Sequence, residues 1–249
     1  MKVAVILPAA GLGTRMGKSS AEKAGTSRKQ FMLLEGSPIL IHTVRKFVAS
    51  SRVGEIVVAV RAEDREWVAE MLAQEFPGGR VRVVAGGDSR QESVENALRS
   101  LGPQYDLVAV HDAVRPFIDH ETIEKVFDEA AATGAAIVAV AAVDTVKRVT
   151  RGTDRVKIRE TLPREKLVMA QTPQVFRYEI LKRAFEEAMR DGFVGTDESS
   201  MVERLDVDVS VVPGSDRNIK ITKPTDMDLA HLFLHEELAR LAAPKGAGE

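Results

Sequence analysis

VAVILPAAGLGTRMG, residues 3–17, joins an apolar run, Val3 to Leu7, to a glycine-rich turn that carries an arginine, Arg15. The run has the composition of a strand buried on both faces. Glycines at 11, 13 and 17 permit positive φ and close backbone approach, so amide N–H groups can turn toward an anion while Arg15 adds a fixed positive fork. Taken alone, the segment also admits the plainer reading of an ordinary strand-to-helix turn. Two familiar phosphate loops fail on spacing. A dinucleotide fingerprint needs a glycine three residues after Gly13, where Met16 stands, and a Walker A loop ending in Gly17, Lys18 and Ser19 needs one at position 12, which is leucine. The turn therefore reads as a third kind of triphosphate-holding loop.

Outward from this turn, short β-branched runs alternate with amphipathic helical stretches over the first 140 residues, the pattern of a mostly parallel twisted sheet covered by helices on both faces. Strands are predicted at Val3 to Leu7, Glu55 to Arg61, Val81 to Ala85, Leu107 to His111 and Ala136 to Ala141. Helices are predicted at Ile39 to Ser50, Glu63 to Phe76, Gln91 to Leu101 and Glu121 to Thr133; in the third of these Val94, Leu98 and Leu101 share one face. Past Ala142, DTVKRV and RVKIRETL read as two strands around the turn RGTD, with charges alternating with valine and isoleucine. Such a hairpin, at about 143–168, has little core of its own. It either packs on a second subunit as a dimerisation arm or folds back on its own chain. A helix from Tyr178 to Arg190, a strand from Asp208 to Val212 and a helix from Thr225 to about Arg240 complete a single domain over 1–249, with a tail at 242–249 expected to fray.

With 249 residues the chain is long enough for a large core, and one α/β domain is the simplest reading. Its 35 basic and 37 acidic residues are mixed along the chain, for a net charge of -2, which argues against a sequence-independent grip on nucleic acid. There is no cysteine, so disulfides, thiolate metal sites and a cysteine nucleophile are excluded, and a reducing cytoplasm fits. The short apolar run before Pro8 does not make a signal-peptide core and nothing approaches a membrane span of about 20 residues, so a soluble protein is expected.

In an open parallel sheet, ligands bind beyond the carboxyl ends of the strands, so the segments leaving those ends are an inventory of the site. The first strand leads to PAAGLGTRMG and then KQF with Lys29; the third to GGDSRQESV; the fourth to HDAVRP; the fifth to DTVKR. Asp88 or Ser89 suits a helix N-cap, and the alternative is that this turn and Ser93 recognise a base edge. Asp112 either binds a metal or pairs with Arg115. His111 is read as a structural, hydrogen-bonded residue.

Taken together and in order, PAAGLGTRMG, KQF, GGDSRQESV, HDAVRP, DTVKR, TPQVF, TDESS and NIKIT resemble the 2-C-methyl-D-erythritol 4-phosphate cytidylyltransferases over Val3 to about Leu232. The resemblance implies a Rossmann-like nucleotidyltransferase fold, a homodimer embraced through the arm, a magnesium ion, and CTP and a sugar-alcohol phosphate as substrates. It implies that Arg15 and Lys29 neutralise the triphosphate and the transition state, and that Ala9, Ala10, Gly11 and Gly13 line the nucleotide. Gly87, Asp88 and Ser93 match the cytosine and ribose contacts, and Asp112 sits beside Mg²⁺. Arg115, Thr145, Arg164, Thr172, Thr196 and Lys220 match positions holding the methylerythritol phosphate, with Lys220 also serving the nucleotide, Asp197 beside them, and Thr145 and Arg164 reaching the neighbouring subunit's site. One departure is that GKSSAEKAGTS lengthens the loop and Arg28 stands where the family commonly has proline, bringing Lys18 and Lys23 near the role of Lys29. A ribitol 5-phosphate cytidylyltransferase and a noncatalytic nucleotide-binding regulatory protein are the competing readings.

Overall fold

The computed structural model describes residues 1–11, 28–151 and 155–242. Gly13, Arg15, Lys18 and Lys23, the hairpin tip at 152–154 and the tail from 243 lie outside the described residues. A seven-stranded sheet forms the centre, built from β1 (Val3–Pro8), β4 (Val53–Val60), β5 (Val81–Ala85), β6 (Leu107–Val110), β7 (Ala135–Ala141), β10 (Val168–Arg177) and β11 (Ser210–Pro213). Their order across the sheet is β11-β7-β10-β6-β1-β4-β5. All pairings are parallel except those of β10, which runs antiparallel to both β6 and β7. Two minor pairs flank it: β2 (Leu33–Leu34) with β3 (Ser37–Pro38), and β8 (Lys147–Arg151) with β9 (Val156–Thr161).

Successive side chains of a strand point to opposite faces, and β1 is buried both ways. Val3, Val5 and Leu7 pack under α1 (Ile39–Val48), α2 (Arg65–Glu75) and α4 (His120–Thr133), while Ala4 and Ile6 pack under α3 (Arg90–Arg99), α5 (Tyr178–Asp191) and α6 (Glu198–Glu203). Val94, Leu98 and Leu101, the face expected of the third helix, lie in the second of these cores. A third cluster seats α7 (Pro224–Ala242) through Ala230 and Leu234, together with Ile221 just before it, on Phe117 and Ile39.

The chain leaves β1 toward β4 and β5 on one side and then returns to pair β6 on the other side of β1. That reversal creates a crevice above the carboxyl ends of β1 and β6, where the flanking connections diverge. The expected strands and helices are present, with ends shifted by a few residues. The sheet strand unanticipated by periodicity is β10. Its sequence VMAQTPQVFR holds a proline, and the ladder with β7 slips between Ala170 and Gln174, so Pro173 falls where no ladder N–H is needed. The β8–β9 hairpin is exposed along both strands, with Val156 and Ile158 open to solvent.

Candidate active site

The crevice at the β1/β6 reversal is a cleft whose walls come from four connections. It is lined by the loop after β1, Ala9 to Gly11, by Lys29 and Gln30, by Gly87 to Arg90 with Ser93, and by Asp112 and Lys220. The KQF segment is a single 3₁₀ turn, and two contacts fix it in space. Phe31 is buried with its ring edge against Trp67, centroids 4.6 Å apart, and the buried Gln30 amide donates to Ala9 O at 2.5 Å. Lys29, between Arg28 and Gln30, is thereby carried to the rim of the β1 loop. Arg28 is tied to Asp64 and, at 3.2 Å, to Glu63, so ion pairs hold the residue that precedes Lys29.

The GGDSRQESV turn is organised by its own side chains. Ser89 caps α3, accepting from Glu92 N at 3.0 Å, which settles the N-cap in favour of Ser89 over Asp88. Ser93, almost fully buried, accepts from Gly87 N at 3.1 Å and donates to Ser89 O at 2.8 Å, so its hydroxyl shapes the turn from beneath while Gly87 and Asp88 face the cleft. Gly86 allows the close approach: a Cβ there would lie 2.8 Å from Ala10 Cβ.

Asp112 is the electrostatic centre. Lys220 Nζ lies 2.8 Å from Oδ2, Arg115 Nε 3.3 Å from Oδ2, and Arg90 Nε 3.5 Å from Oδ1. Burial of Asp112 would raise its pKa, but Lys220, Arg90 and Arg115 outweigh it and hold the carboxyl well below the usual range. Arg90 is itself clamped by fully buried Glu198 at the start of α6, and the attraction of Glu198 and Asp112 overcomes burial to hold the guanidinium charged. Three cations against the carboxylates of Asp112 and Glu198 leave a surplus of one positive charge in a partly dehydrated wall, and Lys29 lines the same cleft. That is a receptor for a polyanion.

A roomier cavity of about 700 Å³ lies between α1, α4 and α7 and is also lined with cations. Arg45 is paired with Glu75, Lys46 with Glu237 and Arg217 with Glu236. Its charge is neutralised within the fold, whereas the cleft retains a surplus.

Of the remaining candidate residues, Thr172 and Arg115 stand behind Asp112. Asp112 N donates to Thr172 Oγ1 at 3.0 Å, and Arg115 Nη1 donates to Asn218 O at 2.7 Å. Thr145 and Arg164 are exposed at the foot of the hairpin, where Arg164 Nη1 donates to Val143 O at 2.5 Å, and Thr196 is exposed; none of the three lines the cleft. Asp197 caps α6 through Ser200 N, and burial's tendency to raise its pKa is overcome by bonds from Gln174, Ser200 and Ser199, which lower it. Two residues to which the sequence motifs assign no role, Arg90 and Asn218, belong to the site. Asn218 is fully buried and donates to Gln171 Oε1 and Thr172 O, both at 3.0 Å.

A sheet of this winding, with lysine and arginine gathered on a switch-point crevice, defines an α/β nucleotidyltransferase. The chain matches the profile of the 2-C-methyl-D-erythritol 4-phosphate cytidylyltransferases over residues 3–236. It is 82% identical over 240 residues to the protein of that name from Solibacter usitatus, covering 96% of this chain and 98% of that one, and 50% identical over 241 residues to that of Acidobacterium capsulatum, covering 96% and 100%. Among solved structures it resembles 4-diphosphocytidyl-2C-methyl-D-erythritol synthase of Anaerococcus prevotii, with TM-score 0.80, 29% identity, and 94% and 96% of the two chains covered. The chain belongs to the 2-C-methyl-D-erythritol 4-phosphate cytidylyltransferase family. Among the described residues no helix is long and apolar enough to cross a membrane.

Proposed function

We propose that this chain joins CTP to 2-C-methyl-D-erythritol 4-phosphate, giving 4-diphosphocytidyl-2-C-methyl-D-erythritol and pyrophosphate. The observation that carries the reading is the surplus of positive charge at Asp112, formed by Lys220, Arg90 and Arg115, with Lys29 lining the same cleft. An oxygen of the substrate phosphate attacks the α-phosphorus in line. A new P–O bond forms there, the bond to the β-phosphate breaks, and its electron pair leaves on pyrophosphate. The attacking phosphate is largely ionised near neutrality, since its second pKa is about 6, so no general base is needed. The protein must bring two anions together and stabilise the charge spreading over them.

In this reading Arg15 and Lys29 hold the triphosphate, the loop Ala9 to Gly13 lines it, and Gly87 and Asp88 face the cytidine with Ser93 shaping their turn. Lys220, already at Asp112, turns toward phosphate oxygens when the polyanion enters. Among the described residues no group of three or more acidic or histidine side chains forms a metal cage. One hard carboxylate, Asp112, at the edge of a phosphate site suits Mg²⁺, an ion that keeps its waters and takes phosphate oxygens as ligands. When bound it would neutralise charge on the triphosphate. The exposed hairpin, with Thr145 and Arg164 at its foot, suits a homodimer in which each arm completes the other subunit's site for the sugar-alcohol phosphate. A cytoplasmic setting suits a cysteine-free chain that consumes CTP.

The test is pyrophosphate release from CTP and methylerythritol phosphate, with and without Mg²⁺, with ribitol 5-phosphate as the competing alcohol. Release with methylerythritol phosphate and Mg²⁺ is expected. Preference for ribitol 5-phosphate would move the reading to the sister activity, and CTP binding without release from either alcohol would make the chain a regulator.

A further inference from the structure

Arg61, the residue that follows β4, lines the cleft although no sequence motif assigns it a role. The two residues before it are bonded on both sides. Ala9 N donates to Ala59 O at 2.7 Å and Gly86 N donates to Val60 O at 2.6 Å, so the loop after β1 and the turn after β5 both begin beside Arg61. In the strand order β6-β1-β4-β5, β1 stands between Arg61 and the connection that carries Asp112. Arg61 therefore leaves the sheet next to Gly87 and Asp88, the turn that faces the cytidine in the proposed reading, and not at the polyanion end of the cleft. Its side chain is held by one edge: Nε donates to Glu63 Oε1 at 2.5 Å, and the same oxygen accepts from Arg28 Nη2 at 3.2 Å. Among the described residues the two terminal nitrogens of Arg61 have no hydrogen-bond partner, so their donors, fixed in one plane, remain for a ligand. Both members of the Arg61–Glu63 pair are partly exposed, and such a pair adds little to fold stability. What the pair does is orient the guanidinium.

We propose that Arg61 is a further nucleotide-binding residue of this chain, whose terminal N–H groups donate to the carbonyl and hydroxyl acceptors of the nucleoside half of the nucleotide rather than to its phosphates. A planar, permanently charged fork suits that task. Glu63 aims it and, by also accepting from Arg28, ties the nucleoside end of the cleft to the segment that carries Lys29. The inference rests on the proposed use of CTP, and its binding readout does not depend on turnover.

The test is calorimetric titration of the full chain with CTP, CMP and inorganic tripolyphosphate. The parent is compared with Arg61→Met, which keeps an apolar stem and removes the donors, and with Arg61→Lys, which keeps the charge and removes the planar fork. Loss of hydrogen bonds from a charged donor weakens binding by about 10- to 100-fold. Arg61→Met is expected to weaken CTP and CMP by one and the same factor in that range, to leave tripolyphosphate binding unchanged, and to melt near the parent temperature. Arg61→Lys is expected to recover only a small part of the lost affinity. In turnover, the KM for CTP is expected to rise by the factor seen in binding. A loss seen with CTP and tripolyphosphate but not with CMP would overturn the inference and make Arg61 a phosphate ligand. Unchanged affinity for both nucleotides in Arg61→Met would also overturn it, leaving the cytidylyl-transfer reading intact. Weakened CMP binding in that variant, with no pyrophosphate released by the parent, would uphold the contact and remove only the activity reading.

Discussion

Arg90 and Glu198 meet through a two-pronged fork, Nη1 to Oε1 at 2.7 Å and Nη2 to Oε2 at 2.9 Å, with Glu198 fully buried at the start of α6. The fork aims the remaining edge of the guanidinium at Asp112. Glu198→Ala takes the fully buried partner from a half-buried arginine; removal of one member of a fully buried pair costs about 3–5 kcal/mol, and the exposure of Arg90 places the loss at or below the lower end of that range. The expected outcome is a loss of that order in denaturant unfolding, together with weaker CTP binding by calorimetry. Unchanged stability and CTP affinity would mean that Arg90 is not held by this pair.

Lys29→Ala tests the cleft lining contributed by the KQF turn. Removing one fixed positive donor from a charge-stabilising site lowers turnover by about 10² to 10³. Because Gln30 and Phe31 anchor the turn, the melting temperature is expected to stay near that of the parent. Near-normal turnover would pass the role to Lys18 or Lys23.

Much of this arrangement is legible in the chain, and the part that is not has a physical reason. Val3 to Leu7 announces a central strand because both faces are apolar, and Val94, Leu98 and Leu101 announce a helix by period. The strand β10 is obscured by Pro173, which gives no ladder N–H, and by Gln171 and Gln174, whose polar side chains are satisfied by partners distant in sequence, Ser215 O for Gln171 and Asp197 for Gln174. The role of Arg90 depends on Glu198, 108 positions away, and that pairing exists only once α3 and α6 share a face of the sheet. Loop residues at strand ends could be read as a site because the fold class fixes where ligands enter; which of them face the cleft and which brace it from behind is decided by packing.

Acid should loosen the start of α6. The Asp197 carboxyl is drawn below its ordinary value of 3.8 by Gln174, Ser200 and Ser199 against the effect of burial. The unfolded chain therefore takes up this proton first as pH falls, so the stabilisation is complete above that value and lost as pH drops through the folded value. Asp197→Asn keeps an acceptor for the cap and removes the charge. The expected difference in unfolding free energy, about 1 kcal/mol at pH 7, shrinks toward pH 3. A difference independent of pH would contradict the assignment.

Subunit sharing is tested by mixing. If Arg164 serves the neighbouring subunit's site while Lys29 serves its own, mixed dimers of Arg164→Ala and Lys29→Ala chains contain one intact site, and part of the activity lost in each variant alone is expected to return. No recovery after verified subunit exchange would place both side chains in one chain's site.

The central claim is that Lys29, Lys220 and Arg90 converge on one triphosphate above the ends of β1 and β6. A crystal structure with a non-hydrolysable CTP analogue tests it most directly. The account predicts phosphate oxygens between Lys29 and Lys220, with Lys220 turned from Asp112 toward them and the base against Gly87 and Asp88. A triphosphate seated in the cavity between α1, α4 and α7, with Lys220 still paired to Asp112, would contradict it.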